Sequence, residues 1–386
     1  MNYRQAMEYL SSIKGFGIVP GLDNIRNLCS RLHNPQDQLK FIHVAGTNAK
    51  GSVIAFISSV LIRAGYKTGC YISPSVFDYC EKIQIDHRKI SKNAVAEGIG
   101  LIKTACDEMT AEGLPHPTVF EVETALAFWY FAKKGCSIAV IETGMGGLYD
   151  ATNLITTTVT SVITPVSMDH MAFLGRTLKE IAAQKAGIIK PGIPVVTGMQ
   201  EKEAADVIMQ TASGLGSEVV MADISEVTDI RYGILKQSFR SRGIGRIVIT
   251  LAGRYQIENA VLSLHVIRTL QELGFGIGEE AIREGFKETV WPGRFQVVDK
   301  NPLFIVDGAH NEGAAKKLAD SVEFYFTNKR IIYIMGVLRD KEYEKVIALT
   351  HRYADQIITV TPPDNPRALS AYELAQTVAE VHEKVT

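Results

Sequence analysis

Short apolar runs alternate with longer amphipathic stretches along this chain. Residues 41–45, Phe-Ile-His-Val-Ala, are apolar but for one histidine and run into a glycine. A run of that length, bounded by a turn signal, reads as a buried strand. Residues 52–64 then read as a helix closed by Gly65, and 67–72 as the next strand. Pro, Ser and aromatic residues mix without a period over 73–86, which reads as loop. Helices are predicted over 91–112 and 119–134. Strands follow at 137–141 and 159–163, with a Gly-rich turn after Glu142. Thr177 with Glu180 three residues on has capping-box spacing and opens a predicted helix at 177–187. A strand at 194–196, a β-rich stretch with a hairpin over 217–251, and a long helix at 255–273 complete this half. The segment before residue 39 reads as helix and loop.

After Trp291-Pro292-Gly293-Arg294 the rhythm restarts. Strands at 303–306, 330–335 and 356–360 alternate with helices at 312–324, 343–353 and 371–382. Strands alternating with helices imply a parallel sheet with right-handed crossovers. The expected fold is therefore α/β, with a domain boundary near 290–298. The larger domain spans 1–293 with a parallel-rich central sheet; a smaller Rossmann-like domain spans 294–386. No internal repeat or low-complexity tract interrupts this order.

Composition narrows the class. The 386 residues are 46% hydrophobic and 22% charged, as in an ordinary globular enzyme of two or three domains. A net charge of -1 gives no basic excess for nucleic acid or an anionic membrane. Five cysteines, Cys29, Cys70, Cys80, Cys106 and Cys136, are odd in number and lack CxxC spacing, which argues against a disulfide framework or a zinc site. The N-terminus lacks a signal-peptide core, and no apolar run is long enough to span a bilayer. The expectation is a cytoplasmic α/β enzyme.

The candidate chemistry starts at Gly46-Thr47-Asn48-Ala49-Lys50-Gly51-Ser52. A strand that enters a Gly-containing turn and opens a helix is an anion site: backbone N–H groups converge, the helix N-terminus adds partial positive charge, and a Lys adds a full one. Lys50 would reach the β- and γ-phosphates of ATP, and Ser52 a phosphate or Mg²⁺. A tight turn with a surface lysine is the plain alternative, and Ala49 and Val44 stand where a phosphate loop normally has Gly. Glu142 ends one strand, Ser73 follows another, and Asp169-His170 follows a third. Ligands of open α/β sheets bind at such strand ends. A carboxylate, a hydroxyl and an imidazole facing phosphate oxygens suit Mg²⁺, which takes few protein ligands. A turn at Ser73-Pro74 and an ordinary loop histidine at His170 remain open as alternatives.

More specific motifs occur in one order: the loop at 46–52, Ser73-Pro74, Phe120-Glu121-Val122-Glu123-Thr124-Ala125, Glu142-Thr143-Gly144-Met145-Gly146-Gly147 leading to Asp150-Ala151-Thr152-Asn153, and Met168-Asp169-His170. Lys185-Ala186-Gly187, Gln256 with Asn259-Ala260, Trp291-Pro292-Gly293-Arg294 and Asp307-Gly308-Ala309-His310-Asn311 complete the set. Together they resemble the folylpolyglutamate synthase/dihydrofolate synthase family of the Mur-ligase superfamily, over nearly the whole chain. The resemblance implies an ATP-dependent ligase that activates a pterin or folate carboxylate as an acyl phosphate and couples it to L-glutamate. It implies triphosphate binding by Gly46, Thr47, Asn48, Ala49, Lys50, Gly51 and Ser52, and two Mg²⁺ ions held by Ser73, Glu142, His170 and Lys185. Lys185 matches a lysine that is carbamylated in this family. Asn259, Arg294, Asp307 and His310 would hold the nucleotide, with closure of the second domain completing the site. Lys50, His170 and Lys185 would serve catalysis, and Phe120, Glu123, Thr124 and Asp150 would face the dihydropteroate or reduced folate. A monomer is the family expectation.

The chain departs from that pattern at Ala49, Ser75, Leu148, Gln184 and Glu312, which replace Gly, His, Arg, Glu and Pro. It also ends at Thr386 where relatives continue, so the second domain reads as short or truncated. A non-catalytic ATP-binding regulator is therefore the second reading. A cell-wall Mur ligase is a third, opposed by the short run of residues before Gly46. A generic phosphate-loop kinase would not need the motif at 307–311.

Overall fold

The computed structural model describes residues 1–17 and 21–386; the part of the first predicted segment at 18–20 lies outside them. Helices α1 (Tyr3–Ser12) and α2 (Asp23–Arg31) precede β1 (Phe41–Ala45). Then come α3 (Lys50–Arg63), β2 (Thr68–Tyr71), β3 (Ile83–Ile85), β4 (Arg88–Lys89), α4 (Lys92–Ala111), α5 (Val119–Lys134) and β5 (Ile138–Glu142). Next are β6 (Thr158–Ile163), α6 (Met171–Leu174), α7 (Leu178–Ala186), β7 (Val195–Thr197), α8 (Lys202–Gly214) and β8 (Val219–Met221). A meander of β9 (Val227–Arg231), β10 (Gln237–Ser241) and β11 (Gly245–Ile249) leads to α9 (Tyr255–Glu272) and α10 (Glu279–Glu288). The last part holds β12 (Gln296–Lys300), β13 (Leu303–Val306), α11 (Glu312–Phe326), β14 (Ile332–Met335), α12 (Tyr343–Thr350), β15 (Gln356–Thr359) and α13 (Ala371–Ala379).

One eight-stranded sheet, ordered β4-β3-β2-β5-β1-β6-β7-β8, organises the larger part. From β2 to β8 every pairing is parallel; β3 and β4 are added antiparallel at one edge. The central strand β1 is buried on both faces, as parallel sheets require. Its side chains alternate between two cores. Ile42 and Val44 join α3, α9, α10 and the meander on one face. Phe41 joins α1, α2, α4 and α5 on the other. Helix α3 explains its own depth: its residues 52–61 are buried without a break, because a helix apolar on all sides must be covered on all sides.

Most predicted elements are present with ends shifted by a residue or two, and the capping boxes on α5 and α7 form. Three expectations are corrected. Residues 73–86 are not all loop, since β3 and a 3₁₀ turn (Tyr79–Lys82) lie within them. Helices α8 and α10 were not predicted. Both are amphipathic, with α10 burying only Ile282, Gly285 and Phe286 among charged neighbours. Strand β13 does not join a parallel sheet with β14. It pairs antiparallel with β12, while β14 and β15 form their own parallel pair. Among the described residues no helix is long and apolar enough to cross a membrane.

Candidate active site

The carboxyl ends of β2, β5, β1 and β6 lie side by side. Loops leaving them bring Ser73, Glu142, the segment 46–52 and Thr164-Pro165 together. The loop 46–52 is tied down before any ligand is considered. Thr47 and Asn48 donate backbone N–H groups to the Pro165 carbonyl at 3.1 and 3.4 Å. Thr164 Oγ1 donates to the Asn48 carbonyl at 2.6 Å. The Thr47 hydroxyl donates to Ser167 O and accepts from Ser167 N–H, both at 3.0 Å. A Cβ on Gly46 would overlap the Thr164 side chain, so only Gly fits there. Ala49, the N-cap residue of α3, adopts φ +70°, a left-handed conformation that costs an L-residue energy. Gly51 lies flat against the Trp291 indole, and any side chain would enter that ring.

Two lysines converge on one carbonyl. Lys50 Nζ donates to Gly46 O at 3.1 Å and to Thr47 O at 3.3 Å. Lys185 Nζ, from α7, donates to the same Gly46 O at 2.8 Å. Burial, and then the nearby Lys50 charge, bring the Lys185 amine down to about 7. Lys50 also lies 3.7 Å from Glu142 Oε1. Glu142 is buried at the end of β5, and its Oε2 accepts the Ser73 N–H at 3.1 Å. Burial raises its pKa, partly offset by Lys50. A buried carboxylate near Lys50 and Arg294, beside a serine, fits a hard cation whose remaining ligands are phosphate oxygens and water. Among the described residues no three His, Cys, Asp or Glu cluster closely enough to hold a metal on their own.

The smaller part supplies the opposite wall. The Asp307 carboxylate accepts N–H groups of Phe295 and Ala309, both at 2.8 Å, and the Tyr255 hydroxyl at 3.1 Å. Burial raises its pKa, and Arg294 opposes that. His310, an exposed residue, donates Nδ1–H to Gly308 O at 2.8 Å, and its Nε2 has no partner among the described residues. Asn259 reaches the loop indirectly: it donates to Gln256 at 2.9 Å, and Gln256 donates to Ser52 Oγ at 3.2 Å. His170, at φ +50°, is exposed at the start of α6, with Asp169 beside it.

Four predicted residues lie elsewhere in the wall. Glu123 is buried and bridged by Lys82 at 2.7 and 2.8 Å. Thr124 is fully buried, its hydroxyl 3.4 Å from that of Tyr71. Phe120 stacks on Tyr71 and covers Gly144. Asp150 folds back on its own loop, accepting from Met145 N–H at 2.9 Å and from the Thr152 hydroxyl at 2.6 Å. Because Thr152 gives its proton to Asp150, the fully buried His43 must donate Nε2–H to Thr152 Oγ1, at 2.8 Å. Its Nδ1 has no partner among the described residues. Of the departures, Leu148 is exposed and packs over Gly187, while the Gln184 carbonyl accepts from Leu148 N–H at 2.8 Å.

Sequence reading assigned no role to Thr164, Ser167, Tyr255, Gln256, Asn311 or Lys341. The first two follow β6, and their polar character after a buried strand was the only available signal. Asn311 lay inside a quoted motif. Lys341 had none, since its contact to Asp169, at 3.6 Å, spans the two parts of the molecule.

Known proteins match this chain in sequence and in fold. The Mur ligase middle domain matches residues 44–267, and the Mur ligase glutamate ligase domain matches 293–386. The dihydrofolate synthase/folylpolyglutamate synthase of Bacillus subtilis is 35% identical, over 96% of this chain and 88% of its own. The folylpolyglutamate synthase of Lacticaseibacillus casei is 34% identical, over 96% and 87%. The Mycobacterium tuberculosis folylpolyglutamate synthase, solved with ADP and AMPPCP, superposes with a TM-score of 0.89 at 30% identity, covering 100% of this chain and 88% of that one. An FPGS–AMPPCP–folate complex superposes at 0.87 with 32% identity, covering 100% and 96%. The chain therefore belongs to the Mur ligase family, within its folylpolyglutamate synthase/dihydrofolate synthase branch.

Proposed function

We propose that this chain is an ATP-dependent carbon–nitrogen ligase that joins L-glutamate to the carboxylate of a pterin or folate substrate, acting as a monomer with residues 1–293 and 294–386 as its two domains. The observation that carries this reading is the convergence of Lys50, Lys185 and Glu142 at the loop 46–52, with Arg294 close enough to bear on both Glu142 and Asp307. Lys50 and the loop amides that Pro165 does not engage bind the triphosphate. A substrate carboxylate oxygen attacks the γ-phosphorus, the bond to the β-phosphate oxygen breaks, and ADP leaves. The glutamate nitrogen, once it has lost a proton, attacks the acyl carbon, and phosphate departs with the C–O bonding pair. Both reacting groups are anionic, so cationic charge must be fixed in place beforehand. Lys50 supplies part of it. Ser73, Glu142 and His170 would hold Mg²⁺, which when bound screens the phosphate charge. Arg294, Asp307, Asn259 and His310 hold the nucleotide as the second domain closes.

Lys185 is proposed to be carbamylated. Only a neutral amine adds CO₂, forming an N–C bond and releasing a proton. An amine near 7 and buried is poised for that, whereas an ordinary lysine is not. The product would be an anionic group able to hold a second Mg²⁺.

A panel of dihydropteroate and reduced folates, each with L-glutamate and ATP, tests the function. The expected result is one phosphate released per amide formed, and bicarbonate stimulates a CO₂-stripped sample. AMPPCP binding without turnover on any substrate would overturn the ligase reading in favour of a nucleotide-binding regulator. That second reading rests on Ala49, whose left-handed backbone strains the phosphate loop.

A further inference from the structure

Asn311 caps helix α11, and a cap needs only one of its four hydrogen-bonding positions. All four are used. Its Oδ1 accepts Ala314 N–H at 2.9 Å and Asn48 Nδ2–H at 3.2 Å. Its Nδ2 donates to Asn48 Oδ1 at 3.0 Å and to Asp169 Oδ2 at 3.2 Å. A side-chain amide offers two donors and two acceptor lone pairs, so Asn311 is saturated. Three of its four bonds leave its own part of the molecule. Two form a reciprocal pair with an asparagine inside the phosphate loop, and the third reaches the residue before His170. The side chain is buried, at 1% exposure, where an unmatched amide would be costly.

A second observation concerns the backbone beside it. A Cβ on Gly313 would stand 3.0 Å from Ser167 Oγ and 3.1 Å from Asn48 Nδ2. The first turn of α11 is thus pressed against the loop anchors, and a methyl group would fit only if Ser167 and Asn48 gave way by a few tenths of an ångström. Lys341, 3.6 Å from Asp169, adds a charged link on the same side.

We propose that Asn311 is a positioning residue, which makes the working shape of the phosphate loop and of the Asp169-His170 segment conditional on the seating of the second domain. This rests on the ligase reading above. Within the larger domain the loop is held by Thr164, Pro165 and Ser167, by Lys185 on Gly46 O and by Gln256 on Ser52. The Asn48–Asn311 pair forms only when the domains are closed. The two asparagines therefore align the triphosphate for attack at the moment the acceptor side of the cleft is complete. Only an amide does this: Ser or Asp would cap α11 equally well, but Asp has no donor and Ser only one, whereas the bridge uses two donors and an acceptor.

Three variants test it, with AMPPCP as the binding probe. Asn311→Ser keeps the cap and loses the bridge. It should lower kcat on the order of tenfold or more, for the loss of two to three hydrogen bonds. Its AMPPCP affinity should stay close to that of the parent, while its melting temperature falls modestly, since Asn48 and Asp169 lose partners. Gly313→Ala improves the helix yet crowds Asn48. It should lower kcat while raising or preserving the melting temperature. Asn48→Ser combined with Asn311→Ser should be no slower than the worse single variant, since the two share one bridge. Hydrogen exchange at the amides of residues 47–50 with AMPPCP bound gives a readout independent of turnover, and protection should fall in Asn311→Ser. Unchanged protection, unchanged kcat in both single variants, or losses that follow the melting temperature would each overturn the proposal. Absence of turnover in the parent chain would instead overturn the ligase reading, and the exchange result would still decide the role of Asn311.

Discussion

His43→Gln gives a sharp test of how the centre of the sheet is built. His43 lies on β1, with no exposed surface, and burial, followed by the charge of Lys190, pulls its pKa down from 6.5 to about 3. The sign follows directly. In the unfolded chain the imidazole takes up a proton as pH falls through its ordinary value, near 6.5. In the folded chain it stays neutral until about 3. Proton uptake therefore favours the unfolded state throughout that window, and stability is lost as pH falls from 6.5. The shift of about 3.5 pH units corresponds to roughly 5 kcal/mol when complete, and to about 2 kcal/mol by pH 5. Above pH 7 the contribution vanishes. A glutamine amide can still donate to Thr152 Oγ1 but takes up no proton. Urea denaturation of both proteins at pH 7.5, 6 and 5 isolates the effect, because every other titrating group is shared. At pH 7.5 the variant should be the less stable of the two, by about 1 kcal/mol for poorer packing. The difference should then shift by about 2 kcal/mol, leaving the variant the more stable by about 1 kcal/mol at pH 5. Parallel stability curves would refute the reasoning, since they would require His43 to titrate alike in both states.

Ala49→Gly should stabilise the protein by up to about 1 kcal/mol: relief of left-handed strain, about 1–2 kcal/mol, outweighs the extra freedom of glycine in the unfolded chain. A lower melting temperature would show that φ +70° carries no strain. Lys50→Ala should abolish ATP turnover, and Glu142→Ala should do so at any practical Mg²⁺ concentration; near-normal phosphate release in either would remove them from the site. Lys82→Met should destabilise by about 3 kcal/mol in chemical denaturation by leaving Glu123 buried and unpaired, and adding Glu123→Gln should recover most of that. If Glu123→Gln recovers nothing, the pair does not act as a unit.

The α/β architecture was legible because its strands are short apolar runs and its helices carry caps that the sequence prints openly. Thr177 with Glu180 is a case in point. The loop at 46–52, Glu142 and Lys185 could be named because each sits at a strand end or inside a spaced motif. Helix α10 escaped because its buried face is three residues wide. The pairing of β12 with β13 escaped because alternation of strands and helices says nothing of which strand bonds to which. Side chains that bind across long separations left no local trace. Lys341 on Asp169 and Tyr255 on Asp307 acquire meaning only once the fold has joined them. Lys185 shows the same limit in its chemistry: its position is a motif, but its depressed basicity arises from burial and from a second lysine on the same carbonyl.

The chain has two tryptophans, and their placements are unequal. Trp129 lies on α5 against Gly98, with Lys133 over its ring, on the far core of the sheet. Trp291 rests on Gly51, one residue past Lys50, in the connection between the two parts of the molecule. One indole is thus a constant background and the other sits where the phosphate loop meets the hinge. Intrinsic fluorescence should therefore report nucleotide arrival and domain rotation in the unlabelled protein, and a Trp129→Phe variant would turn the chain into its own single-channel optical sensor of closure.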